Sequence, residues 1–422
     1  MSTVLIVIAV YIFLITVIQI GLIIKGNIDA KTVKTYDWNP SVSIVIPCYN
    51  EESSILSCVR SALHQDYENF DVIVVDDGST DSSAQLLIEK YGLSEISENV
   101  FQNGILTLIK KENGGKFSAL NVGMDYSTAD RILNVDADSL IVSNALEMLT
   151  KYTSPDAAAS TAAIGIINGC EVNENGGLLK KRIPFRWLVV SQMIEYLRTF
   201  VMLKLALNKN NGIMVLSGAC TFFNREFVQS IGGYREKITE DAELTLRIHK
   251  NGGVVQFVPA VLSYTECPEN RKMLARQRYR WIRGIIRDAW EHRQLLKGKT
   301  AIGRFMIPYF YITDLLFPWF EFIGWALFIW TILFGTFSIP IVVMFLAFVI
   351  SLYIINNMVL LWVSNKWLKS FQGFENKWFV YFVAAIDYIY YRPIMVFLVL
   401  SSQIKEIFRT ASPWGKLTRK GF

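Results

Sequence analysis

Two stretches of this chain carry no charged side chain: Thr3–Ile24 and Phe322–Asn365. Inside a bilayer every backbone N–H and C=O must find its partner within the protein, so such runs are constrained to helices. Thr3–Ile24 is 22 residues long. At about 1.5 Å per residue it reaches about 33 Å, enough to cross a hydrocarbon core. Gly335–Pro340 interrupts the second run midway, which predicts two membrane helices joined by a tight turn. The first run lacks the basic leader of a signal peptide and reads as a retained anchor. Lys25, Lys31 and Lys34 follow it, so the positive-inside bias places the next segment in the cytoplasm and the N-terminus outside.

The resulting plan has four parts: an anchor over residues 1–25, a cytoplasmic domain over 40–300, an interface helix with a C-terminal membrane region over 301–404, and a basic tail over 405–422. Phe305–Glu321 contains Pro308, Asp314 and Pro318 and is expected to lie at the surface, leading into the membrane. Ile183–Leu207 mixes aromatics with Arg186, Glu195, Arg198 and Lys204, which also suits a membrane surface. Trp378–Ser402 is interrupted by Asp387, Arg392 and Pro393. A full crossing there puts the tail outside, against its basic charge, so the segment is expected to re-enter near Pro393 or Phe305–Glu321 to insert more deeply.

Net charge is +5 over 422 residues, too small to imply nucleic-acid binding. The five cysteines are scattered and pair with no histidine cluster, so neither a disulfide framework nor a zinc site is indicated. From Pro40 to Pro259 short apolar runs alternate with helix-length segments: Val42–Ile46, Asp71–Val75, Ile105–Ile109, Arg131–Val135, Ala159–Ile167, Met214–Phe223 and Val254–Val258. This is the pattern of an α/β domain with a doubly wound, mostly parallel sheet, whose ligands sit beyond the strands' carboxyl ends.

Acidic motifs fall at those ends. Ile132–Asp138 closes with Asp136 and Asp138, which on an extended strand project together. Two converging carboxylates suit Mg²⁺ or Mn²⁺ with a substrate diphosphate, although the same pattern also opens ordinary loops. Ile46–Glu51 supplies Pro47, an aromatic at Tyr49 and an acceptor at Glu51; Val75–Asp81 supplies Asp76 and Asp77 before Gly78. Asn113–Lys116 adds a cation, Lys116, on a glycine turn. Ile238–Glu243 opens a helix with Glu240, Asp241 and Glu243, more acid than a cap needs, which makes Asp241 a candidate general base. In Gln277–Trp281, Gln277, Arg280 and Trp281 share a helix face and offer an amide, a guanidinium and an indole. A basic, aromatic membrane-surface helix would show the same composition.

In this order the motifs resemble the family 2 glycosyltransferases, in particular the membrane-embedded processive branch of poly-N-acetylglucosamine, hyaluronan, chitin and cellulose synthases. The likeness implies a GT-A fold, a UDP-sugar donor such as UDP-GlcNAc, a growing polysaccharide acceptor, a divalent metal and an accessory membrane subunit. By the same likeness Pro47, Tyr49, Glu51, Asp76, Asp77, Lys116, Asp136, Gln277 and Arg280 serve the nucleotide sugar. Asp136 and Asp138 hold the metal, and Asp241 is the base. Ser217, Gly218, Ala219, Glu240 and Trp281 meet the acceptor. Transfer of one sugar to a polyprenyl phosphate is the rival enzyme reading, and an inactive domain on a transporter or scaffold the rival of another class.

Overall fold

The computed structural model describes residues 2–408 apart from 31–32, 174, 299, 336–337 and 369–371. The uncharged N-terminal run forms helix α1 (Ser2–Ala30). After it the chain alternates strand and helix: β1 (Val42–Cys48), α2 (Ile55–Leu63), β2 (Phe70–Asp76) and α3 (Ser83–Tyr91). A meander of β3 (Ser94–Ser97), β4 (Val100–Asn103) and β5 (Leu106–Lys110) precedes α4 (Lys116–Tyr126) and β6 (Arg131–Asn134).

β1 pairs in parallel with β2 and β6, and β2 with β5, which makes the parallel centre expected from the sequence. Side chains alternate across it. Val45, Ile73 and Ile132 enter one hydrophobic core, while Ile44, Val72, Val74 and Leu133 enter the other, so both sheet faces are covered.

The later elements make the sheet mixed. They are β7 (Ser139–Ile141), α5 (Ala145–Tyr152), β8 (Ala159–Ile166), a separate ribbon of β9 (Glu171–Val172) and β10 (Leu178–Lys180), α6 (Trp187–Tyr196), α7 (Leu203–Asn208), β11 (Thr221–Asn224), α8 (Arg225–Ser230), α9 (Glu240–Lys250) and β12 (Val255–Thr265). The ten-stranded order is β3-β4-β5-β2-β1-β6-β11-β8-β12-β7. β11 is antiparallel to both its neighbours, and β12 runs parallel to β8 but antiparallel to β7.

Two expectations at this end are corrected. The strand expected over Met214–Phe223 begins only at Thr221, and the preceding residues form an irregular loop. Asp136 and Asp138 do not extend a strand; they lie in the link between β6, which ends at Asn134, and β7.

After β12 the chain forms α10 (Arg271–Glu291), followed by α11 (Ile307–Phe310), α12 (Phe317–Phe334), α13 (Ile339–Val363) and α14 (Lys377–Ile407). Among the described residues four helical segments, Ile6–Asp29, Ile302–Phe334, Ile339–Lys366 and Lys377–Ile407, are long and apolar enough to cross a membrane. Phe305–Glu321 is not a separate helix but part of one helical segment with α12. Nor does the chain turn back at Pro393, which sits inside the continuous α14. The charged groups that suggested interruptions find partners within the protein. Arg392 pairs with Glu321 at 2.5 Å, and Asp387 accepts from Ser191 at 2.5 Å and Tyr353 at 3.0 Å. Residues 187–208 form a helical rod with a wider π turn at Leu197–Met202. It packs against α1 and α14, and Val189, Val190 and Gln192 have no exposed area. The basic tail beyond Phe408 lies outside the described residues.

Candidate active site

The sequence-predicted residues fall into two adjoining groups. The first is at the carboxyl ends of β1 and β2. Pro47 pairs across to Val75, and the Asp77 amide donates to the Cys48 carbonyl at 2.8 Å. The Asn50 side chain accepts from the Thr80 and Asp81 amides, so the loops carrying Tyr49, Glu51 and Asp77 are tied together. Tyr49 is 41% exposed, while Glu51 accepts from Ser54. The Asp77 carboxylate accepts from the Gly114 and Gly115 amides and from Lys111 Nζ. That approach requires Gly78: its φ is +72°, and a Cβ there would lie 2.8 Å from the Asn113 nitrogen. Asp76 is buried beside it, and burial raises its carboxyl above the usual range.

The second group lines one cavity of about 340 Å³. Lys116, Asp136, Asp138, Ser217, Gly218, Ala219, Glu240, Asp241, Gln277, Arg280 and Trp281 all face it; Pro47, Tyr49, Glu51, Asp76 and Asp77 do not. Lys116, in the first turn of α4, reaches Asp136 at 2.7 Å and Glu240 at 3.0 Å. Burial alone would lower its pKa, but Asp136, Glu240 and Asp241 together hold it well above the ordinary lysine value. Gly218 makes room for this pair, since a Cβ there would stand 2.8 Å from Lys116 Nζ and 3.0 Å from an Asp136 oxygen. Asp138 is 5% exposed. Four carboxylates, Asp136, Asp138, Glu240 and Asp241, thus line the cavity, two of them bonded to the Lys116 ammonium.

Asp241 stands in the first turn of α9. Burial, reinforced by the Glu240 carboxylate and only partly offset by Lys116, pushes it up to about 6. The N-cap, Thr239, makes no capping bond of its own and instead donates to Asp288 of α10. Glu243, the third acid of the motif, belongs to the framework. Although its burial opposes ionisation, bonds from His292 and Arg247 hold it down to about 2.

Gln277, Arg280 and Trp281 come to the cavity on one face of α10, as the helical spacing required. Trp281 is flanked by Tyr196 and, edge-on, by Phe200. Three further residues were not singled out as site residues in the sequence. Arg278 pairs with Glu195 at 2.7 Å and lies over the Trp281 ring at 4.5 Å, which fixes the indole. Glu195 lines the cavity, as does Lys204 of α7. Their charges looked like the polar face of a surface helix; no local signal tells a charge facing water from one facing a cavity.

A family model described as glycosyltransferase like family 2 matches residues 40–284. The chain belongs to this family. The transferase is 25% identical over 270 residues to the poly-beta-1,6-N-acetyl-D-glucosamine synthase of Staphylococcus aureus (strain COL), a match covering 63% of this chain and 60% of that protein. The match thus spans less than two thirds of the length of that synthase. The probable glycosyltransferase YdaM of Bacillus subtilis (strain 168) is 26% identical over 394 residues, covering 90% of the transferase and 87% of that protein. Among solved structures, the mannosyltransferase PcManGT from Pyrobaculum calidifontis, in complex with GDP-Man and Mn²⁺, has a TM-score of 0.56 at 18% identity, over 96% of this chain and 100% of that one. That likeness shows the GT-A fold.

Proposed function

We propose that the transferase adds sugar from a UDP-sugar, with UDP-GlcNAc the first candidate, to the end of a growing β-linked polysaccharide. One observation carries this reading: Asp136, Asp138, Asp241 and Trp281, distant in sequence, meet around a single cavity beside the carboxyl ends of the parallel strands. Tyr49, Glu51 and Asp77, on the adjoining loops, would take the uridine. Gln277 and Arg280 would bind the diphosphate, Trp281 would stack on the acceptor sugar, and Ser217–Ala219 would shape its pocket.

The acid set fits a hard divalent cation in its donor chemistry, because Asp136, Asp138, Glu240 and Asp241 offer carboxylate oxygens to one cavity, with the Lys116 ammonium between Asp136 and Glu240. Asp136 and Asp138 would hold Mg²⁺ or Mn²⁺, which when bound neutralises diphosphate charge. Asp241 takes the proton of the acceptor hydroxyl as that oxygen bonds to the anomeric carbon, and the bond from that carbon to the diphosphate breaks. Lys116 and Arg280 face the charge that develops on the leaving UDP. Attack from the side opposite the leaving group inverts an α-linked donor to a β-linked product.

Processive growth with export is supported by a second cavity of about 280 Å³ among the membrane helices. Its wall shares Glu195, Thr199, Trp281 and Asp314 with the first. In this reading the domain over residues 40–300 is cytoplasmic, the membrane region passes the polymer outward, and an accessory subunit can receive it. Membranes given labelled UDP-GlcNAc and UDP-glucose in parallel test the proposal. Polymer from one donor, lost in Asp241→Asn, is expected; a product extended by one sugar sinks processivity, and no nucleotide release from either sinks the donor assignment.

A further inference from the structure

Lys204 is 5% exposed and lines the cavity, and its buried Nζ has no hydrogen-bond partner among the described residues. The nearest recorded ring, Phe200, is 5.4 Å from it. A buried amine without a partner costs folding stability, and such a violation is expected where a ligand completes the bonding. Burial pushes Lys204 down to about 7, with Asp241 opposing, so the amine approaches neutrality and can both accept from a hydroxyl and donate to an oxygen.

Its position argues for the acceptor side. Lys204 is carried by α7, which packs on α1, and it interacts electrostatically with Asp241. Thr199 and Leu203, close to it on the rod, line both this cavity and the one among the membrane helices. Leu203 and Phe310 give the wall the apolar surface that the face of a pyranose needs.

We propose that Lys204 is a specificity-determining residue of the acceptor subsite, its Nζ hydrogen-bonded to an oxygen of the sugar that presents the attacking hydroxyl. The inference rests on the transferase reading above.

The test uses the full chain in detergent or nanodiscs, with Lys204→Met, which keeps the stem and removes the amine, and Lys204→Gln, which keeps a donor and an acceptor. The probe is a β-linked GlcNAc oligosaccharide. Its binding is measured without donor, and acceptor KM and donor KM are measured with UDP-GlcNAc. The methionine variant is expected to melt at a higher temperature yet bind the oligosaccharide about tenfold more weakly, as for the loss of one buried hydrogen bond. The rise in KM falls on the acceptor and not the donor, and the glutamine variant recovers part of the binding. Oligosaccharide binding that is absent in the wild type or unchanged in Lys204→Met overturns the proposal, as does a shift confined to donor KM. Because binding is read without turnover, these outcomes remain distinct from a wild type that releases no nucleotide from any UDP-sugar, which overturns the transferase reading.

Discussion

Thr239 Oγ1 donates to the Asp288 carboxylate at 2.6 Å, so the turn that presents Glu240 and Asp241 is fastened to the helix that presents Gln277, Arg280 and Trp281. Gly284 permits the contact, because a Cβ there would come within 2.3 Å of the same hydroxyl. Gly284→Ala is expected to separate α9 from α10 and to cost about 1–3 kcal/mol, as overpacking does. Thr239→Val, of nearly equal volume, is expected to cost about 1 kcal/mol and to lower kcat more than donor KM. Denaturation and steady-state kinetics check both; an unchanged kcat in Thr239→Val would show that the tie does not position the base.

Asp241, pushed up to about 6, works as a base only when ionised. Transfer is therefore expected to fall about tenfold per pH unit below that value and to level off above it. The stability consequence has the opposite sign. The folded state holds the proton more tightly than the unfolded chain, whose carboxyl titrates near 3.8, so this group's contribution declines as pH rises from about 4 to 6. Asp241→Asn should abolish that dependence and lower transfer by about 100-fold or more. A pH-rate profile beside melting curves at matched pH checks the sign.

Divalent-cation binding is readable without turnover. Mn²⁺ or Mg²⁺ is expected to raise the melting temperature of the wild type by mass action on the folded state, and a chelator to remove both this rise and transfer. Asp138→Asn should lose most of the rise, since one of the two proposed carboxylate ligands is gone. An equal rise in the variant would place the cation elsewhere.

The Glu321–Arg392 pair joins α12 to α14, and the glutamate side chain is 1% exposed. Glu321→Gln deprives the mostly buried guanidinium of its counter-charge and is expected to cost about 3 kcal/mol, while replacing both partners by Leu and Met should recover most of it. Thermal unfolding in detergent measures the single and double variants.

The residues that meet at the cavity were legible in the sequence because each motif is short and local. The spacing of Asp136 and Asp138, the acids at Glu240 and Asp241, and the helical face shared by Gln277, Arg280 and Trp281 depend on neighbours in the chain. Uncharged runs marked membrane helices for an equally local reason, since hydrocarbon tolerates no unpaired backbone group.

What the sequence could not decide was which surface meets which. Arg392 and Asp387 looked like breaks in a membrane segment because Glu321, Ser191 and Tyr353, which satisfy them, lie far away in the chain. The run at Met214 read as a strand because it is apolar, yet Ser217 to Ala219 turn toward Lys116 and Asp136 in a loop. Lys204 and Glu195 looked solvated until α1 and α14 covered their helical rod. Periodicity records the faces a segment has; only the packed chain decides whether a polar face meets water, another side chain or a substrate.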